Sequence, residues 1–360
     1  MIKHMNNREL FSSRLTKLQA ENSAKNLLEG DSCESYMESY PRRMVIELTN
    51  QCNLNCIMCG RTGRNFKKTN FQMDWFKKIE SVFDYTEEIV LHGWGEPLMH
   101  REFDEILTYL NGFPVRKYFC TNGMLIRKHL DVILNNHMDI IAFSLDGATP
   151  ETNNKIRKGS DFNEITAAIK EIVSHKKKSG ISYPYMNFVF TAMLDNINEL
   201  PDMVDLAYSL EVPEVKVVYL TAFDEELAKN SLYNKSEIVR KYFDLAGERA
   251  EKKSILLKLP YIQNEDPAGE ELHRRCYFPF RDLFIGSDGY VRPCVSNSRR
   301  LFYIDSVNSF NRIWNHDTMK KLREEYTQEC LSCYHSSCTN WNRKSAFLQL
   351  SDDVLPEWKT

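Results

Sequence analysis

The chain of 360 residues contains no run approaching the ~20 apolar residues of a membrane span. Residues 1–28 carry charges throughout and lack the apolar centre of a secretory leader. These absences point to a cytoplasmic protein. There is no basic excess: 47 Lys and Arg stand against 50 Asp and Glu, a net charge of −3. That opposes a general nucleic-acid binder. No phosphate loop, Ser/His/Asp set, internal repeat or low-complexity tract is present. Short basic runs, Lys176–Lys178 and Arg299-Arg300, read as solvated faces.

What the chain has is ten cysteines. In a reducing compartment a cysteine pattern reads as metal binding or catalysis, and a chain this long can bury a core without disulfides. Cys52, Cys56 and Cys59 form one cluster; Cys330, Cys333 and Cys338 form another, with Cys276 and Cys294 upstream. Cys33 and Cys120 stand alone, Cys33 as incidental and Cys120 as a small core thiol.

Residues 1–42 read as an N-terminal extension lying on the main body, with Phe11, Leu15 and Leu18 marking one face of a short helix. A rhythm of short apolar runs and helical periods begins at Met44. Strands are expected at Met44–Leu48, Glu88–His92, Arg116–Thr121, Asp139–Ser144, Met186–Met193 and Val215–Leu220. Between them, Ile165, Ala168, Ile169, Ile172 and Val173 keep one helical stripe, and Leu200, Met203, Val204, Ala207 and Leu210 another. Such alternation implies right-handed parallel βαβ units, in an open sheet or a partial barrel. The rhythm covers residues 43–222. Residues 223–275 read as exposed helices and a polar linker. Residues 276–342 form a second region, with a hairpin of Asp282–Ile285 and Tyr290–Arg292 and a helix around Ser309 to Glu325. Residues 343–360 are a tail.

The first cysteine cluster directly follows a strand, at the edge where parallel α/β folds place their chemistry. A structural zinc would ask for a fourth nearby ligand, and none follows locally; the nearest histidine is His92. A 4Fe–4S cluster usually takes four cysteines, so three leave one iron open to a non-protein ligand.

Cys52-x3-Cys56-x2-Cys59, Gly93-Trp94-Gly95-Glu96-Pro97, Thr121-Asn122-Gly123 and Ser144-Leu145-Asp146-Gly147 with Arg157 beyond occur in the order seen in radical S-adenosylmethionine (SAM) enzymes, which the chain resembles over residues 44–340. The resemblance implies an α/β fold built as a partial (β/α)6 TIM-like barrel with a lateral opening. It implies a three-cysteine 4Fe–4S cluster whose open iron binds SAM, and cleavage of SAM to a 5′-deoxyadenosyl radical. Gly93 and Gly95 would let backbone approach the cofactor, Glu96 would accept a hydrogen bond from its amino group, and Ser144 and Arg157 would meet its carboxylate.

The second cysteine group resembles the SPASM/twitch extensions of the same enzymes, which carry auxiliary clusters. Its C-x2-C-x4-C run is incomplete for a full SPASM domain, which favours a single four-cysteine 4Fe–4S cluster on Cys276, Cys294, Cys330 and Cys333. Cys338 stays open between spare ligand, packed thiol and hydrogen donor. A fully ligated cluster can take an electron from a substrate radical. The leading expectation is an oxidoreductase acting on a small hydroxylated or amino metabolite, with flavodoxin or ferredoxin as electron donor. The alternatives are a peptide-modifying maturase, a redox-neutral epimerase or dehydratase, and a metal-stabilised binding protein without catalysis.

Overall fold

The computed structural model describes residues 15–61, 67–260, 262, 278–295 and 299–328. The β-branched and aromatic runs become strands β1 Arg43–Ile46, β2 Glu88–Leu91, β3 Arg116–Thr121, β4 Ile140–Ser144, β5 Tyr185–Ala192 and β6 Glu214–Tyr219. Consecutive strands pair in parallel through helical crossovers. The expected strands agree with these to within two residues at each end.

The sheet continues beyond residue 222. A three-residue strand, β7 Leu256–Lys258, adds in parallel to β6. β8 Asp282–Ile285 pairs in parallel with β1, on the side away from β2. The expected hairpin then forms: β9 Tyr290–Arg292 runs antiparallel to β8, and β10 Phe302–Tyr303 antiparallel to β9. Gly289 closes this turn at φ 76°, and a Cβ there would stand 2.6 Å from the Tyr303 ring. The strand order is β10-β9-β8-β1-β2-β3-β4-β5-β6-β7. β7 and β8 are not neighbours, so among the described residues the curl is an open barrel with its seam between them.

The helices follow their stripes. Helix Phe162–Ser179 buries Phe162, Ile165, Ala168, Ile169 and Ile172 against the sheet. Asp161 caps its N-terminus by accepting from Asn163 N and Glu164 N, and Gly180 ends it in the left-handed region at φ 64°. Helix Leu200–Ser209 buries Leu200, Met203, Val204 and Ala207. The charged stretch after residue 222 forms two helices, Glu225–Lys229 and Ser236–Lys253.

Two expectations need correction. The N-terminal helix, Lys17–Asp31, turns a polar face inward: Gln19, Asn22, Ser23 and Asn26 are buried, while Leu18 is 45% exposed. Their amides serve backbone carbonyls that no helix or strand partner satisfies. Gln19 donates to Thr86 O and Pro114 O, Asn22 to Tyr40 O and Tyr85 O, and Asn26 to Phe280 O. Phe11 lies outside the described residues. The helix expected from Ser309 to Glu325 is two, Phe310–Trp314 and Asp317–Gln328. The break falls at Asn315, whose amide accepts from Met37 N and donates to Met37 O.

Candidate active site

Every site residue expected in the first half of the chain gathers at the C-terminal ends of β1 to β4. The cysteine loop leaves β1 and is braced by two later segments. Asn55 N donates to Lys158 O and Ile57 N to Ile156 O, each at 2.9 Å. Asn122, just past β3, donates through Nδ2 to Asn53 Oδ1 at 2.8 Å and lies 3.8 Å from Cys52 Sγ. Burial pushes the Cys56 thiol up to about 11, with Cys59 and Cys52 adding to the rise, and it raises Cys52 in the same way. Burial thus disfavours these two thiolates, against the opposing pull of Arg157 on Cys56 and of Leu54 N and Arg61 on Cys52, and a bound cationic metal centre would relieve it.

Gly93 and Gly95 are glycine because protein fills the space a side chain would take. A Cβ on Gly95 would lie 2.1 Å from Thr49 O and 2.5 Å from Gln51 O, in the backbone leading to Cys52. A Cβ on Gly93 would lie 2.3 Å from Glu47 Cγ. Glu96 N also donates to Gln51 O at 2.8 Å, so the loop after β2 is seated directly on the cysteine loop.

Glu96 is buried, and its carboxylate accepts from Thr121 Oγ1 and Asn122 N at 2.8 Å each and from Leu98 N at 3.3 Å. It therefore caps the turn Pro97–Met99 and ties β2 to β3. Burial nevertheless pushes it up to about 7, so an added cationic or amino group would favour its ionised form. Ser144 ends β4, half-buried. Arg157 is buried, its Nε 2.7 Å from Asp146 Oδ2, and its charge reaches Cys56 and Cys59.

Sequence reasoning missed three groups. Asp146 orients Arg157 and accepts from Thr191 N at 2.7 Å; its signal was present in Ser144-Leu145-Asp146-Gly147. Glu47 accepts from Trp94 N at 2.7 Å and from Ser287 N and Oγ at 3.0 and 2.7 Å, joining the site to the hairpin turn. The third is a set of polar side chains inside the barrel. Along β3, Lys117, Phe119 and Thr121 are buried under the helices, while Tyr118 and Cys120 face the lumen, as does Lys216 on β6. Cys120 is therefore no apolar core thiol. At the strands' N-terminal ends the lumen is lined by ion pairs between neighbouring strands, Arg43–Asp282 at 2.8 Å, Arg116–Glu88 at 2.7 Å and Lys258–Glu214 at 3.1 Å.

Of the second cysteine group, Cys276, Cys330, Cys333 and Cys338 lie outside the described residues. Cys294 follows β9, partly buried. Its neighbour Val295 packs on the lumen cluster of Val45, Val90 and Phe284, together with Tyr118 and Phe278.

Comparison with known proteins agrees with this geometry. Residues 46–207 match the radical SAM superfamily, and residues 276–335 match SPASM, an iron-sulfur cluster-binding domain. The chain belongs to the radical SAM superfamily and carries a C-terminal SPASM domain. Its cofactors are accordingly SAM and two 4Fe–4S clusters, and the three thiols of the loop after β1 are the donor chemistry a cluster takes. The SPASM match includes Cys276, Cys294, Cys330 and Cys333 and ends before Cys338. A probable GTP 3′,8-cyclase of Methanococcus maripaludis is 24% identical over 74% of this chain and 89% of its own length. The tungsten-containing aldehyde ferredoxin oxidoreductase cofactor-modifying protein of Pyrococcus furiosus is 25% identical over 70% of each chain. Among solved structures, Streptococcus suis SuiB bound to S-adenosylmethionine superposes with a TM-score of 0.66 at 15% identity, covering 91% of this chain and 81% of SuiB. That likeness is one of fold. No helix among the described residues is long and apolar enough to cross a membrane.

Proposed function

We propose that this chain is a radical SAM oxidoreductase that removes two electrons from a small polar metabolite bearing hydroxyl or amino groups. Cys52, Cys56 and Cys59 hold the SAM-binding cluster. Gly93, Gly95, Glu96, Ser144 and Arg157 line the SAM site, with Asp146 fixing Arg157. Cys276, Cys294, Cys330 and Cys333 hold the second cluster. When bound, SAM and the first cluster supply a 5′-deoxyadenosyl radical that takes a hydrogen atom from substrate. The packing of Val295, beside Cys294, onto the lumen cluster carries this reading. An electron acceptor held by Cys294 would then stand beside the chamber in which substrate is oxidised. The lumen is lined with charge, in ion pairs between neighbouring strands at its far end, which suits a small polar molecule. Reduced flavodoxin or ferredoxin supplies the electron, in the cytoplasm.

Two measurements test the proposal. Anaerobic reconstitution is expected to give about eight irons per chain, falling to about four when Cys52, Cys56 and Cys59 are replaced by alanine, with SAM cleavage abolished. A screen of deuterated hydroxylated and amino metabolites is expected to find one that labels 5′-deoxyadenosine and yields one oxidised product per 5′-deoxyadenosine. Labelling only from peptide substrates would refute the metabolite reading.

A further inference from the structure

An oxidation of this kind has to place a proton as well as a hydrogen atom and an electron. Among the described residues of the SAM site the two buried carboxylates are engaged: Glu96 accepts from three donors, and Asp146 is ion-paired with Arg157 and accepts from Thr191 N. The lumen beneath offers another group. Cys120 on β3 faces inward, its Sγ 3.6 Å from the Tyr118 hydroxyl. His92 follows the register pair Leu91–Phe119 and so stands beside Cys120 on the lumen face, and Lys216 on β6 points into the same lumen. In the cavity that Tyr118 and Lys216 line toward the strands' N-terminal ends, Asn187 is 1% exposed and its Oδ1 meets no donor among the described residues. A buried acceptor left unpaired in a polar chamber marks room for a ligand or water.

We propose that Cys120 is the proton acceptor for substrate held in the lumen, with His92 and Lys216 as the residues that position and charge it. The inference rests on the oxidoreductase reading above. When bound, SAM and its cluster would supply the radical that takes the substrate's C–H hydrogen atom, and the SPASM cluster would supply the acceptor for the remaining electron. The chain's own part is the proton: the substrate's O–H or N–H proton passes to the Cys120 sulfur. The C=O or C=N product is then two electrons and two hydrogens poorer.

The surroundings agree. Burial alone would raise the Cys120 thiol, but His92, Tyr118 and Lys216 outweigh it and hold it below its ordinary value. His92 is raised in return, burial being outweighed by Cys120 and Glu47. Lys216 is lowered by burial, aided by Arg43 and Lys258 and opposed by Cys120 and Glu214. Tyr118 is raised well above its ordinary value by burial, Cys120, Glu88 and Glu214, so it stays a neutral hydrogen-bond partner.

The first test needs no substrate. Cluster-loaded protein at neutral pH is treated with methyl methanethiosulfonate, and modification of Cys120 is followed by mass spectrometry. His92→Gln and Lys216→Met are each expected to slow it roughly tenfold, as loss of thiolate stabilisation requires, with Lys216→Arg restoring most of the rate. Unchanged rates in both variants would overturn the proposal. The second test uses a deuterated substrate that labels 5′-deoxyadenosine with the natural enzyme. Cys120→Ser is expected to keep that label while forming oxidised product roughly a hundredfold more slowly. Product at the natural rate would overturn the role of Cys120 alone. Absence of label with the natural enzyme would overturn the oxidoreductase reading instead, and the modification rates would then decide whether Cys120 is an activated thiol.

Discussion

Asp282 shows how single side chains hold the closed end of the lumen. Its carboxylate is fully buried and receives two forks, from Arg43 at 3.0 and 2.8 Å and from Arg281 at 3.0 and 2.6 Å. Burial alone would raise its pKa, but Arg43 and Arg281 outweigh burial and hold it below the usual carboxylate range. A depressed folded value means that the stabilisation is present above the unfolded value of about 3.9 and is lost as pH falls through the folded one. Asp282→Asn is expected to cost about 3 kcal/mol at neutral pH by urea unfolding, because two guanidinium groups lose a buried charge, and to flatten the acid limb of the stability profile. Gly95 is as strict for a steric reason. With Thr49 O 2.1 Å from any Cβ, Gly95→Ala must displace the backbone that leads into Cys52. The expected outcome is a loss of about 1–3 kcal/mol and reduced iron uptake in the same sample.

Among the elements, the strands and the hairpin were legible because each joins β-branched or aromatic residues to Gly, Asn or Pro punctuation. β7 was not: its three residues, Leu256 to Lys258, are all half-buried and show no alternation. The N-terminal helix was misread because periodicity arguments assume an apolar inner face, whereas Gln19, Asn22 and Asn26 face inward to serve stranded carbonyls. The cysteine trio and the glycine-glutamate turn could be found locally, since spacing alone defines them. Glu47 could not, because its partner Ser287 is 240 residues away. The same holds for Cys120, whose meaning depends on a lysine three strands across the chamber. Glu47 is the bolt between the radical SAM core and the hairpin. Replacing it by alanine is expected to speed hydrogen exchange at the Gly286–Gly289 turn while amides of helix Phe162–Ser179 keep their protection.

For the molecule as a whole, the arrangement of β1 matters most. It lies between β2, which delivers the glycine-glutamate turn, and β8, which begins the hairpin leading to Cys294. A strand in the middle of a sheet cannot slide without breaking ladders on both sides. The loop that carries Cys52, Cys56 and Cys59 and the hairpin end that carries Cys294 therefore hang from one shared beam. A change that loosens β1 reaches both at once.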